Sequence, residues 1–447
     1  MFRKKKVMVI GAGISGEGAV SLLVRKNAKI FVFDDDSDKA KSLSEKFGVT
    51  HVNAQEFPKV LASCEYAVLS PGISINSNIA VMALALGVRV ISEIELGYLC
   101  CRGKVVAVTG TNGKSSMVRL VGALLSNCNQ KAYVCGNIGK SFSEISDGIL
   151  ENDFAVVETS SFQLETVDEF NPETAILLNI NPDHLDRQVS FDEYAKAKGK
   201  ILKNMTEDHC VIANFDSLKI REIVEKSKAK NYYFSLTKPV EEGVYFDGEE
   251  IVAVTQGRRY CVGHVSDVCG IKTPIENALA LLCFALAKNI QFGLVYKTLR
   301  EFQPLPHTMQ KVCSKGGVVY VDDSKGTNIS ATLCAVKNTD GNVVLICGGR
   351  KKGENYAELF GKLPKNIVST VCFGENAEEF QMLSLSAGIE SKVAVDVIDA
   401  VKLASRDIEQ IGGTVLFSPA TASFDCFKNY AERGDAFVRA VRAYAQE

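Results

Sequence analysis

The sequence predicts an α/β protein of three domains in series. Three observations lead there. Short β-branched runs alternate with helical patterns, and that alternation restarts twice along the chain. Two glycine-rich loops each follow an apolar strand and open a helix. The chain has 447 residues, enough for two to four domains of ordinary size, each with its own core.

The first stretch carries the strands "KVMVI", "KIFVFD", "YAVLS" and "VRVIS" and closes at residue 96. Strands joined through helices form parallel sheets with right-handed crossovers. The second stretch runs over 97–303. It begins with "KVVAVTG" and continues through "KAYVCG", "FAVVETS", "TAILLNI" and "CVIANFD". A polar, β-rich patch spans Tyr232 to Val268, and "TPIENALALLCFALAKNI" reads as a helix with Pro274 near its start. The third stretch, 304–447, holds "GVVYVDD", "VVLICGG", "VSTVCFG" and "TVLFSPA". It ends in an amphipathic helix, "NYAERGDAFVRAVRAYAQE", interrupted by Gly434. Ligands are expected in the clefts between domains.

Composition narrows the function. A formal net charge of −2 gives no electrostatic footprint for nucleic acid or an anionic membrane. The basic N-terminus precedes an apolar run too short for a signal peptide, and no 18-residue apolar stretch occurs. The fourteen cysteines include no CxxC pair, and most sit in apolar runs. Zinc and a disulfide framework are therefore disfavoured, and buried free thiols in a reducing, cytoplasmic compartment are expected.

The glycine loops carry the chemistry. "GAGISG" places Gly11, Gly13 and Gly16 after a strand, with Asp34 at the end of the next one. The spacing suits a dinucleotide, another phosphate-bearing ligand, or a tight structural turn. "GTNGKSS" brings Gly110, Thr111, Asn112, Gly113, Lys114, Ser115 and Ser116 between a strand and a helix. Backbone N–H groups there curl around phosphate oxygens, Lys114 supplies a point charge, and Ser115 offers a hydroxyl to Mg²⁺. The usual GxxxxGKS spacing fails, because Val108 stands where its first glycine belongs. A nucleoside triphosphate site is the leading reading and a bare strand-to-helix turn the other.

Further polar groups follow buried strands. Glu158 ends "FAVVE", where a second Mg²⁺ ligand belongs. Asp183 and His184 follow "TAILLNIN"; Asp322, Asp323, Lys325 and Thr327 follow "GVVYV"; Ser418, Ser423 and Lys428 follow the last strand; His307 lies in "PLPHTMQ". Lys196, Lys198 and Lys200 in "YAKAKGK" read by composition as a solvated helix face.

Taken together, "TGTNGKS", "GNIG", "SSFQLE", "DDSKGTN" and "SPATASFDCFKNYAERG" resemble the Mur ligases, in order along nearly the whole chain, with the last four closest to the D-glutamate-adding type. The resemblance implies an N-terminal Rossmann-like domain that holds UDP, a central P-loop ATPase domain and a C-terminal Rossmann-like domain. It implies Ile14, Ser15, Asp34, Ser70, Pro71 and Gly72 as uridine-nucleotide contacts, with Asn137 and His184 toward the muramoyl part. Asn277 would read adenine and Asp323 the ribose. Two Mg²⁺ sites are implied: Ser115 with Glu158, and His184 with Lys198 carrying a CO₂-derived carbamate. Lys325, Thr327, Lys352, Ser423 and Tyr430 would surround D-glutamate, and Lys114, His184, Lys198, His307 and Lys325 would be catalytic. The implied activity is ATP-dependent joining of D-glutamate to UDP-N-acetylmuramoyl-L-alanine by a cytoplasmic monomer, without nucleic-acid or membrane partners.

Three positions depart from the family pattern. Thr308 replaces an Arg after His307, a loss of about 1.5–3 kcal/mol of charged hydrogen bonding. Pro274 replaces an Asn ahead of Asn277, and Lys351 beside Arg350 replaces an Asp. The added cations either compensate for the missing Arg or mark an altered nucleotide pocket. The alternatives are a related ligase for another amino acid, such as a folylpolyglutamate-type enzyme, and a non-catalytic paralogue that keeps the fold.

Overall fold

The computed structural model of the protein describes residues 1–183, 190–268 and 272–446. The chain forms two compact units, residues 1–180 with 192–302, and residues 181–191 with 303–447. Among the described residues the strands make three sheets.

The first unit holds two of them. One contains β1 (Lys6–Ile10), β2 (Lys29–Phe33), β3 (Thr50–His51), β4 (Tyr66–Leu69) and β5 (Arg89–Ser92), all parallel, in the order 3-2-1-4-5. The order reverses beside β1, and ligands of open parallel sheets bind at such a switch point. The helix Glu93–Cys100 then runs across the expected boundary at residue 96. Its Glu95 is fully buried and accepts from the backbone N–H groups of Asp168, Glu169 and Phe170. Glu93 accepts from Ser143 N at 2.5 Å. Two carboxylates thus fasten the first sheet layer to loops of the second.

The second sheet contains β6 (Lys104–Thr109), β7 (Ala132–Gly136), β8 (Phe154–Glu158), β9 (Thr174–Leu177), β10 (Cys210–Asn214), β11 (Lys230–Ser235), β12 (Gly243–Asp247), β13 (Glu250–Thr255) and β14 (Arg258–His264). Its order is 14-13-12-11-10-9-6-8-7, parallel from β7 to β12 and antiparallel beyond. The polar β-rich patch begins in β11, which pairs in parallel, and continues into this antiparallel extension. Strands β6, β8, β9 and β10 are apolar along nearly their whole length, as a sheet covered on both faces requires. The helix Ile275–Ala287 buries every residue from Asn277 to Ala285. Pro274 sits at its N-cap, where a missing N–H costs nothing.

The second unit holds β15 (Gln310–Lys315), β16 (Val318–Asp322), β17 (Val343–Cys347), β18 (Ile367–Cys372), β19 (Glu390–Val393) and β20 (Gly413–Phe417). The order is 15-16-20-17-18-19, parallel except for the β15–β16 hairpin. The terminal helix Tyr430–Gln446 passes through Gly434 unbroken. That glycine is no interruption: a Cβ there would lie 2.2 Å from His307 Nδ1, so its absence seats the imidazole ring.

The described cysteines are free thiols. Six of them are buried, five are half-buried, and Cys261 and Cys426 are exposed. No helix among the described residues is long and apolar enough to cross a membrane.

Candidate functional site

The N-terminal glycine loop is fixed from behind. Asp34 accepts from Ala12 N (2.6 Å) and Asp36 N (2.9 Å), so the acid at the end of β2 holds the loop after β1. A Cβ on Gly16 would fall 1.8 Å from Gly11 O, so the helix Ile14–Arg25 packs directly on the loop. In front lies a cavity of about 430 Å³ lined by Gly13, Ile14, Ser15, Asp34, Ser70, Pro71 and Gly72. All six residues expected to contact a uridine nucleotide line it.

The second glycine loop joins β6 to the helix Lys114–Asn127. Gly113 has φ +82°, and a Cβ there would lie 2.8 Å from Asn277 Oδ1. The carbonyl of Gly110 gathers two cations: Lys114 Nζ at 2.8 Å and Lys198 Nζ at 2.9 Å. Lys114 also donates to Thr111 O. Lys198 is 2% exposed, and its ammonium lies 4.6 Å from the Tyr194 ring centroid. The solvated-face reading of "YAKAKGK" is therefore corrected for Lys198, while Lys196 is exposed and pairs with Glu193. The helix Phe191–Gly199 turns one lysine inward and leaves the other out. Asn277, expected at adenine, donates to Gly113 O at 3.0 Å. Ser115 is buried in the first turn and Ser116 half-buried.

Glu158 ends β8, 3% exposed. Its Oε1 accepts from Asn137 Nδ2 at 3.1 Å, and its buried Oε2 has no hydrogen-bond partner. An ionisable oxygen left so is costly unless a ligand completes it. A divalent cation held partly by Ser115 fits that donor chemistry. His184, the expected ligand of a second cation, lies outside the described residues.

In the second unit, Lys352 Nζ lies 3.2 Å from Asp183 Oδ1, and Asn328 donates to the other Asp183 oxygen at 3.2 Å. Glu354 stands nearby with both carboxylate oxygens buried, and burial, with the Asp183 charge second, pushes its carboxyl up to about 7. Lys325 Nζ lies 4.9 Å from the Tyr430 ring centroid. Ser423 is buried and Thr327 half-buried. Asp323 accepts from Ser418 Oγ (2.8 Å) and Met309 N (3.2 Å), and desolvation pushes its carboxyl up to about 7.

His307 is buried, with Nδ1 2.6 Å from Asp322 Oδ2 and Nε2 3.6 Å from Asp435 Oδ1. Thr308, in place of an Arg, has a buried hydroxyl without a partner. Arg350 pairs with Glu375 at 2.9 Å and Lys351 with Glu379, both on the exposed surface.

Two residues escaped the sequence reading. Asn179, two residues past the end of β9, contacts both Thr111 and Asn112. Arg433 lies in the first turn of the terminal helix. It is fully buried and donates to Ser324 Oγ and to the carbonyls of Ser324, Thr421 and Ala422. Burial pulls its guanidinium down to about 10.

Comparison with known proteins places this architecture. Residues 108–284 match the Mur ligase middle domain, and residues 5–92 match the N-terminal domain of MurD-like Mur ligases. The chain belongs to the Mur ligase family. Its full-length relatives include the UDP-N-acetylmuramoylalanine–D-glutamate ligase of Caldanaerobacter subterraneus subsp. tengcongensis, 35% identical over 98% of each chain. The enzyme of the same name from Streptococcus mutans is 33% identical over 100% of this chain and 99% of its own. In fold the chain is similar to MurF ligase from Thermotoga maritima, solved in complex with ADP (TM-score 0.58, 18% identity, covering 99% and 96%). It is also similar to a pseudomurein peptide ligase type C from Methanothermus fervidus (TM-score 0.59, 16% identity, covering 98% and 100%).

Proposed function

We propose that the chain is an ATP-dependent amide ligase that joins D-glutamate to UDP-N-acetylmuramoyl-L-alanine, acting as a cytoplasmic monomer in peptidoglycan precursor synthesis. One observation carries the reading most directly. A phosphate loop with Lys114 and Lys198 converging on Gly110 O lies in a chain about one-third identical, end to end, to ligases of that name.

A carboxylate is a poor electrophile because its oxygen leaves badly. Transfer of the γ-phosphoryl group of ATP to the substrate carboxylate makes an acyl phosphate. The amine of D-glutamate then attacks, and phosphate leaves. Lys114 exchanges its two loop carbonyls for phosphate oxygens. The amides of the first helical turn point at the same oxygens. Ser115 with Glu158, and His184 with Lys198 as a carbamate, would hold two Mg²⁺ ions, which offset negative charge during phosphoryl transfer. The cavity before β1 takes the uridine nucleotide, and Asn137 turns from Glu158 toward the muramoyl part. Lys325, Thr327, Lys352, Ser423 and Tyr430 receive D-glutamate, for which Lys352 must leave Asp183. Asp323 meets the ribose and His307 helps position the phosphates.

The test is phosphate release from ATP with UDP-N-acetylmuramoyl-L-alanine present, with D-glutamate, with L-glutamate, and with neither. Release that needs D-glutamate and yields ligated product is expected. Nucleotide-sugar binding without release under any of the three conditions would instead favour a non-catalytic relative.

A further inference from the structure

The phosphate loop leaves one question open: what keeps its backbone facing the right way before a nucleotide arrives. Four hydrogen bonds between residues distant in sequence answer it. Thr111 N donates to Asn179 O at 2.9 Å. Asn112 N donates to Asn179 Oδ1 at 2.8 Å, and Asn179 Nδ2 donates back to Asn112 O at 3.2 Å. On the far side of the loop, Asn277 Nδ2 donates to Gly113 O at 3.0 Å.

The side-chain amide of Asn179 therefore closes a two-bond ring with the main chain of Asn112, as a neighbouring strand would. Only a planar group with an adjacent donor and acceptor does this. Asn supplies both, whereas Asp keeps the acceptor alone and Leu neither. The ring also divides the work of the loop. The N–H groups of Thr111 and Asn112 turn back onto Asn179. Anion binding then falls to the first turn of the helix Lys114–Asn127, the positively polarised end of its dipole.

We infer that Asn179 is a positioning residue for the triphosphate: it fixes the peptide planes of Thr111 and Asn112, and so the direction in which the helix amides and Lys114 meet phosphate. The inference rests on the ligase reading only in taking the ligand to be ATP. Asn179 does not touch substrate itself. Its removal lets residues 111–112 rotate and raises the cost of ordering the loop around phosphate, so affinity falls for nucleotide and not for ligands held elsewhere.

The experiment uses full-length protein and the variants Asn179→Leu and Asn179→Asp. Calorimetry measures binding of ATP and, separately, of UDP; thermal unfolding without ligand reports folding. The expected result is ATP binding at least tenfold weaker for Asn179→Leu. UDP binding stays within twofold, and the unfolding temperature stays within about 3 °C. Asn179→Asp, keeping one bond of the ring, weakens ATP binding by less than Asn179→Leu in 0.5 M salt, where added charge is screened. With turnover, KM for ATP rises in step with Kd. Equal ATP affinity in wild type and Asn179→Leu overturns the inference and leaves the ligase reading standing. Parallel loss of ATP and UDP affinity overturns it too, since Asn179 is then a general folding residue. Wild-type protein that binds UDP but no ATP overturns the ligase reading, and the inference with it.

Discussion

Lys198 holds a demanding position. It is an almost fully buried cation whose ammonium shares the Gly110 carbonyl with Lys114. If a carbamate on it holds Mg²⁺, Lys198→Ala lowers kcat by roughly 10³-fold or more, on the order of 4 kcal/mol of transition-state stabilisation. A short added carboxylate restores part of the rate. Phosphate-release assays with and without acetate check this, and unchanged activity in the variant refutes the role. Glu93 yields a prediction about pH. It is almost fully buried, and desolvation pushes its carboxyl up to about 7, against the offsetting hydrogen bond from Ser143 N. With Glu93 Oε2 buried and without a hydrogen-bond partner, the folded state binds this proton more tightly than the unfolded chain. The resulting stability is complete below pH about 4.5 and is lost as pH rises through about 7, on the order of 3 kcal/mol in full. Glu93→Gln flattens that part of the profile. Denaturant titrations of both proteins at pH 5 and pH 8 measure it, and an unchanged difference between the two pH values refutes it. Motif residues of the phosphate loop were legible in the sequence because a strand, two glycines, a lysine and a hydroxyl have few other uses together. Lys198 was legible only by resemblance, since "YAKAKGK" gives no sign of which lysine turns inward.

At the scale of elements, the helix Ile275–Ala287 shows how far hydrophobic patterning reaches. Its nine-residue buried stretch is apolar on every side except at Asn277, which the fold places against Gly113. Leu281→Ala at its centre leaves a cavity that the packed sheet cannot fill. A loss of roughly 2–5 kcal/mol is expected by chemical denaturation. A loss below 1 kcal/mol is inconsistent with that packing. The antiparallel strands β12–β14 were visible only as a polar β-rich patch, because strand direction depends on pairing partners that no local pattern encodes. Gly434 was misread for a related reason. A helix interior glycine looks like a break until the His307 ring beside it is known.

At the scale of the whole molecule, the chain contains two compact units joined at residues 180–181, 191–192 and 302–303. Each has its own apolar clusters. Calorimetric unfolding without ligands is expected to resolve two transitions, and UDP is expected to raise only that of the unit containing the cavity before β1. A single transition shifted as a whole refutes that independence. The amino-acid sequence by itself determined the class of fold, the two glycine loops and the family, because these rest on local periodicity and on residues contiguous along the chain. Tertiary structure alone decided that Asn179 braces the phosphate loop, that Arg433 is buried among carbonyls, that Lys198 points inward, and that Arg350 and Lys351 serve surface pairs. Each of those outcomes depends on a partner far away in sequence. Burial and hydrogen bonding belong to pairs of residues, and only folding chooses the pairs.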